Sequence, residues 1–552
     1  MSRLDPITLG ILWDRLVSIT DQIVSTLEKC SFSLLVREGG DLSCLLFDAQ
    51  ARSLAQGTFS SGAFIGTGPL TIRHMLRKFP PETLKPGDVI LTNDPWIGTG
   101  HLFDVCVMRP VFRGPRLVGY TMSITHLPDI GGLGWSMTSS EICEEGLRLP
   151  VCKIVKAGRL NEELMELVRA NVRTPDMTAG DLMANVTGTG VGGRLLVEFM
   201  DEYGIDDLEP LSRQIVDQSE KAMREKIREI PDGVYAHELL ADPAAENVRI
   251  ACRVNVSGDA IHIDYDGTGP SMRAGVNVPL CYTRAYSIYA VKCLTTPNIP
   301  NNEGSFRPIT VSAPAGCILN AQPPSATAAR HLYGHFTTIA VFGALETVGG
   351  VPAEPGMGGG GPCHGTLRNG RPFAGHIGDH SGGLGAHADM DGTSAMPAPY
   401  NARGIPVEVL EDFTDLAVER NALSCDSGGP GEFRGGLGTV QVIRNDSGHP
   451  MTVDFLGSRS RFAARGRNGG KPGGLRKLLI NGRETPYGIR ISVSPGDQVT
   501  MVEAGGGGYG DPRRRPVEKV LADVKRGLVS IEGALRDYGI AVDPANLTAR
   551  RV

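Results

Sequence analysis

The sequence predicts an α+β fold, with mixed sheets and helices and glycine-rich loops in a multi-lobed single chain. Three observations lead there. Helix-like and strand-like segments are mixed without the regular βα alternation of a parallel doubly wound sheet. Glycine fills 72 of 552 positions, about twice its usual share, in short tracts between strand-like runs where it permits positive φ and close backbone approach. Apolar residues make up 41% of the chain and run throughout it. Disorder is therefore excluded, and the length allows two to four domains.

Taken in order, residues 6–29 read as an amphipathic helix entered through Asp5-Pro6, with Ile7, Ile11, Leu16, Ile19, Ile23 and Leu27 on its apolar face. Strands are expected at 32–36, 44–47, 89–92, 105–112 and 117–125. Residues 161–230 read as mostly helical and end at Pro231-Asp232-Gly233. Alternation returns at 248–267, with Ser257-Gly258-Asp259 as a hairpin turn. A helix near 278–295, a glycine-heavy region at 349–395, strands and turns over 405–505 and a final helix at 516–537 complete the chain. We divide it into an N-terminal α+β domain (1–232), a central α+β region (233–404) and a β-rich C-terminal region with a terminal helix (405–552).

Composition excludes several function classes. A net charge of −6 offers no electrostatic footprint for nucleic acid or an anionic membrane. No apolar run reaches the ~18–20 residues of a spanning helix, and the N-terminus does not read as a signal peptide. Eleven cysteines, an odd number with no CxxC pair, fit free thiols in a reducing cytoplasm better than disulfides or a structural zinc site.

The stretch "LTNDPWIGTGHLFDVCVMRPV" carries the most chemistry. Two β-rich runs flank Arg113-Gly114-Pro115-Arg116, a good turn. A hairpin centred there sets Asp104 opposite residue 125 or 126, and directly opposed residues have Cβ atoms ~4.5–5.5 Å apart. Asp104 and His126 are therefore expected neighbours, with the register left open. The turn permitted by Gly98-Thr99-Gly100 lets His101 converge on Asp104. Two imidazoles and a carboxylate suit Zn²⁺, Mn²⁺ or Fe²⁺; the alternative is that each histidine caps a turn on its own. Asp41, between Gly39-Gly40 and an apolar strand, is a fourth candidate ligand or a turn residue. Asp94 and Asp129 read as supporting carboxylates or Asx-turn residues.

The glycine tracts 356–365 and 505–512 match neither GxxxxGK[ST] nor a strand-linked GxGxxG, so nucleotide binding there is weakly supported. Their expected role is tight backbone crossing next to a partner or substrate. Residues 426–438 read as a hairpin with sharp turns. Cys363-His364 is an unassigned pair, and His376, His380 and His387 read as turn or core histidines rather than a second metal patch.

Jointly, "DPITLGILWDRL", "GDLSCLLFD", "LTNDPWIGTGHLFDV", "PNIPNNEGSFRPI", "PVEVLEDF", "DSGGPGEFRGGLG" and "GGGGYGDP" resemble the hydantoinase B/oxoprolinase family across nearly the whole chain. The resemblance implies a metal site on Asp41, His101, Asp104 and His126. It also implies an A-type partner subunit that uses ATP to phosphorylate an amide or ketone oxygen, and hence a hetero-oligomer acting on a small cyclic amide. By their position, Asp94 or Asp129 is expected to accept a proton from water and Asn93 to donate to the substrate oxygen. Departures at "YNARGIPVEVLE" and "GGPCHGTLRNGRPF" leave the substrate open. A ketone-carboxylase subunit and a non-catalytic scaffold for an ATPase partner are the alternatives.

Overall fold

The computed structural model describes residues 4–244, 246–378 and 381–552. The chain is α+β. It forms two compact units rather than three consecutive regions. One holds the residues up to His237 together with Ala251–Ala344, and the other holds Glu238–Ile250 with Leu345–Val552. The first sequence boundary falls near this exit, but the chain returns. The strand Ala260–Asp264 pairs in parallel with Ile309–Ser312, and the Trp96 indole N–H donates to the Ala321 carbonyl at 2.9 Å. Such long-range pairing leaves no compositional mark, so the return of the chain is not legible in the sequence.

The first unit is built on a seven-stranded antiparallel sheet: β1 (Leu42–Asp48), β2 (Ser53–Gln56), β3 (Val89–Thr92), β4 (Asp104–Arg113), β5 (Arg116–His126), β6 (Cys152–Lys156) and β7 (Arg159–Leu160), in the order β2-β1-β5-β4-β3-β6-β7. The central strands β1, β5 and β4 are largely buried. The helix Pro6–Cys30 starts where the Asp5 carboxylate accepts the Ile7 and Thr8 amides at 3.0 and 3.1 Å, satisfying donors that a helix start leaves open. Its buried stripe is Leu9, Leu12, Leu16, Ile19, Ile23 and Leu27; Ile7 and Ile11 face out. The helix Pro175–Glu202 lies close against it because Gly188 and Gly192 face Leu27 and Ile23 with no room for a methyl at Gly192.

Three elements differ from the sequence reading. The run at 32–36 is a short helix, Leu34–Arg37, not a strand; its three consecutive buried residues, Leu34, Leu35 and Val36, are too short a run to show a period that tells the two apart. The terminal helix is two, Val517–Lys525 and Ile531–Tyr538. They part where Gly527 takes φ +70° and the Ser530 hydroxyl accepts the Gly533 amide at 2.8 Å. Residues 426–438 hold no strand and so no hairpin; Phe433 instead bridges Tyr509.

In the second unit the strands Gly361–Thr366, Pro372–Ile377, Met451–Phe455 and Ile489–Val493 form one sheet. Leu416–Leu423, Thr439–Asn445, Lys477–Ile480, Arg483–Thr485 and Gln498–Val502 form another. Phe373, Ile377, Ile443, Val453, Phe455, Leu478 and Met501 share a core drawn from both. Beside them the glycine tracts run as extended segments bonded directly to one another: Gly356 N–H to Gly383 O at 2.8 Å, Gly429 to Gly506 at 2.8 Å, Gly506 to Gly436 at 2.9 Å and Ala386 to Gly507 at 2.9 Å. A Cβ at Gly383, Gly435 or Gly506 would strike neighbouring backbone. The backbones these glycines admit belong to the same chain.

Candidate functional site

Three predicted residues meet at the open end of the β4–β5 hairpin. Near the turn, Arg113 pairs with Arg116 and Phe112 with Leu117. Continued without interruption, that register would set Asp104 opposite Thr125. A bulge between Val111 and Phe112 absorbs one extra residue of β5, and Val111 pairs with Gly119. Asp104 therefore stands opposite His126, on the same face of the sheet. Gly100 at φ +101° turns the preceding loop so that His101 Nε2 comes within 2.9 Å of Asp104 Oδ1.

The hydrogen bonds decide what this cluster is. His101 Nδ1 lies 3.0 Å from the Ala328 carbonyl and His126 Nδ1 lies 2.8 Å from the Leu127 carbonyl. A carbonyl only accepts, so each Nδ1 carries a proton, and each neutral ring directs the Nε2 lone pair into the cluster. Asp104 Oδ2 accepts from the Thr99 hydroxyl and from Arg330, both at 2.6 Å, leaving Oδ1 on the same spot. Among the described residues, neither Nε2 atom nor Asp104 Oδ1 has a hydrogen-bond donor. One ligand atom from each residue lies within 4.8 Å of the others, and all three residues are buried. Buried acceptors facing each other without a donor are costly. A divalent cation fits the donor set, and fixing imidazoles through their second nitrogen is what metal-binding histidines require.

Protonation states agree with this. Burial, then the Arg330 charge, holds His101 below the usual imidazole range; burial, then His101 and Arg330, brings His126 down to about 3. Burial pushes the Asp104 carboxyl up, but the neighbouring His101 and the Arg330 charge outweigh it and hold the group well below the usual carboxylate range. Two neutral imidazoles and one carboxylate are the form that binds metal. Phe103 stacks on His126 with ring centres 5.0 Å apart, and Trp135 lies 4.6 Å from His126, walling the cluster with apolar surface. Among the described residues no other group of three such side chains converges this way.

Asp41 is buried beside His126, whose amide donates to the Asp41 carbonyl at 3.3 Å, and its charge bears on Arg330 and Tyr282. It stands outside the three-atom cluster.

The remaining expected residues have other partners. The Asn93 amide donates to Leu102 O at 2.7 Å and Leu147 O at 3.0 Å, and its oxygen accepts the Leu149 amide at 2.6 Å. It ties loops together and has no donor left for a substrate oxygen. Asp94 accepts Arg148 Nε at 2.9 Å and the Trp96 amide at 3.0 Å. Asp129 accepts Arg173 Nη1 at 2.9 Å and the Gly131 amide at 3.0 Å. Both carboxylates are engaged in ion pairs and turns rather than poised as bases.

In the second unit, Cys363 pairs with Gly375 and His364 with Ala374, so strand alternation sends the two side chains to opposite faces. Burial pushes the Cys363 thiol up to about 12. Adjacent in sequence, the two do not form a nucleophile–base pair. His376 is buried, and His380 lies outside the described residues.

Sequence reading missed Arg330 and Glu145. Arg330 grips Asp104 from 226 residues away. Glu145 accepts the Thr327 and Ala328 amides at 2.6 and 2.8 Å and so holds the carbonyl that receives His101. The one local signal for Arg330 was a lone arginine inside the small, apolar run "SATAARHLYG".

Known proteins share this sequence pattern and this fold. The Hydantoinase B/oxoprolinase profile matches residues 5–512. The beta chain of the caprolactamase of Pseudomonas jessenii is 31% identical over 98% of this chain and 97% of its own length. The B-type chain of a putative D-/L-hydantoinase of Pseudomonas sp. (strain NS671) is 28% identical over 98% and 96%. The crystal structure of the ATP-dependent caprolactamase from Pseudomonas jessenii superposes with a TM-score of 0.90 at 29% identity, covering 99% of this chain and 98% of that one. A match of fold and sequence from end to end leaves one conclusion: this chain belongs to the hydantoinase B/oxoprolinase family.

Proposed function

We propose that this chain is the metal-dependent hydrolytic subunit of an ATP-dependent cyclic amidohydrolase, opening a ring amide that an A-type partner subunit has phosphorylated. The observation that carries the reading is the donor-free meeting of His101 Nε2, His126 Nε2 and Asp104 Oδ1. The names of the relatives supply the reaction class. The lack of a phosphate-binding fingerprint in the sequence supports assigning ATP to a partner.

His101, His126 and Asp104 would hold one divalent ion of the zinc, manganese or iron class, with Asp41 as the adjacent carboxylate. Such an ion supplies Lewis acidity and lowers the pKa of water toward ~7. The chain's own residues do the rest. Ala328 and Leu127 carbonyls fix both imidazole tautomers. Arg330 and Thr99 hold Asp104 in one orientation. Phe103 and Trp135 limit bulk water, which protects an activated amide from loss.

The test is metal content and turnover of the chain co-purified with its partner. We expect one equivalent of metal, ATP-dependent opening of a hydantoin, oxoproline or lactam, and loss of both in His101→Ala and His126→Ala. Retained turnover in those variants, or incorporation of labelled bicarbonate in place of hydrolysis, would overturn the reading.

A further inference from the structure

The β4–β5 hairpin brings the three donors together and fixes the His126 ring through Leu127 O, but a distant segment holds His101 and shares the hold on Asp104 with Thr99. Ala328 O receives the His101 Nδ1–H. Two residues on, the planar Arg330 side chain makes two bonds at once, Nε to Thr99 O at 2.9 Å and Nη2 to Asp104 Oδ2 at 2.6 Å. Its guanidinium lies 4.2 Å over the Tyr282 ring, so it has little freedom to swing. The Gly100 backbone passes beside it; a Cβ there would sit 2.9 Å from Arg330 Cδ. The segment is anchored in turn by Glu145, which is buried and accepts the Thr327 amide, the Ala328 amide and the Ser139 hydroxyl at 2.6, 2.8 and 3.0 Å.

We infer that residues 327–330 are the template of the metal centre, with Arg330 and Glu145 as its positioning residues. Neither touches the space between the donors. Arg330 turns Asp104 so that Oδ1 faces the imidazoles, and Glu145 sets the height of the carbonyl that fixes the His101 ring. A lysine at 330 would keep the charge but not the fork, since an ammonium cannot satisfy Thr99 O and Asp104 Oδ2 in one plane. The inference rests on the reading of the cluster as a metal site.

Cobalt(II) uptake by the full chain, followed by competition with a chelator and by the visible spectrum of the bound ion, tests it. Against the wild type, Arg330→Lys and Glu145→Ala, compared at equal folded fraction by circular dichroism, are expected to bind cobalt roughly 10–100-fold more weakly. Their spectra should shift, because the donor geometry has changed. Glu145→Gln keeps an acceptor for the two amides and should bind within a few-fold of wild type. If Arg330→Lys and Glu145→Ala bind as tightly as wild type with the same spectrum, the template idea falls while the metal site stands. A wild-type chain that takes up no cobalt overturns both.

Discussion

At the scale of single residues, burial decides which polar groups serve the fold and which remain for chemistry. Asn93 looks like a substrate-binding amide by position, yet both of its side-chain N–H donors and one acceptor site of its oxygen are spent on three backbone groups. Asn93→Ala should therefore lower stability by about 2–4 kcal/mol, as expected for orphaned buried backbone groups, and denaturant titration reads that loss directly. Glu145 gives a pH prediction. Burial raises its carboxyl to about 7, against the hydrogen bonds from Ala328, Ser139 and Thr327 that pull it down. The unfolded chain releases that proton near ~4.3, so between these values the folded state holds more protons than the unfolded one. Stability is then fully present below the lower value and falls as pH rises through about 7, by an amount on the order of 3 kcal/mol. Unfolding free energies measured from pH ~4 to ~8 should show that decline in the wild type and a flatter course in Glu145→Gln. Equal slopes in the two proteins would remove the assignment.

Among elements, the β4–β5 bulge settles a register that the turn alone sets one residue away. The extra residue of β5 is absorbed next to Val118, between the pairs Val111–Gly119 and Phe112–Leu117. Deleting Val118 leaves a regular ladder that still sets Asp104 opposite His126, so metal binding should survive with some loss of stability. Inserting one alanine after Tyr120 slides Thr125 opposite Asp104 and turns His126 to the other face. Metal content of the folded insertion variant should fall below a tenth of wild type, and an unchanged content would show that the sheet absorbs the insertion elsewhere. Glycine acts at the same scale in the second unit. At 383, 435 and 506 it is required because extended segments bond backbone to backbone with no space for a Cβ.

For the whole molecule, the proposed division of labour makes two demands. The isolated chain should neither bind ATP tightly nor hydrolyse it, since the amides of Gly505 to Gly508 and Gly510 already donate to carbonyls elsewhere in the chain; calorimetry showing micromolar ATP binding to this chain alone would contradict that. The chain should also co-elute with an A-type subunit in size exclusion, because a phosphorylated amide is labile in water and must pass between sites without escaping. Complete separation of the two chains at micromolar concentration, with full activity kept by this one, would refute it.

What the sequence determined by itself is local or periodic. The Asp5-Pro6 helix start, the strand 89–92, the Gly258 turn and the hairpin around Gly114-Pro115 are all present, because caps, turns and alternation act over a few residues. Spacing also brought Asp104 near His126 and His101 near Asp104, since both contacts lie within one hairpin and the turn that leads into it. Tertiary structure decided the rest. The register depended on one bulged residue, which no period reveals. The orientation of His101 and Asp104 depended on Arg330 and on Glu145 acting through Ala328, and the split into two units depended on chain return after 250. The Arg330 and Glu145 contacts join residues about 180 to 230 positions apart, where pairing is set by packing and leaves no pattern along the chain.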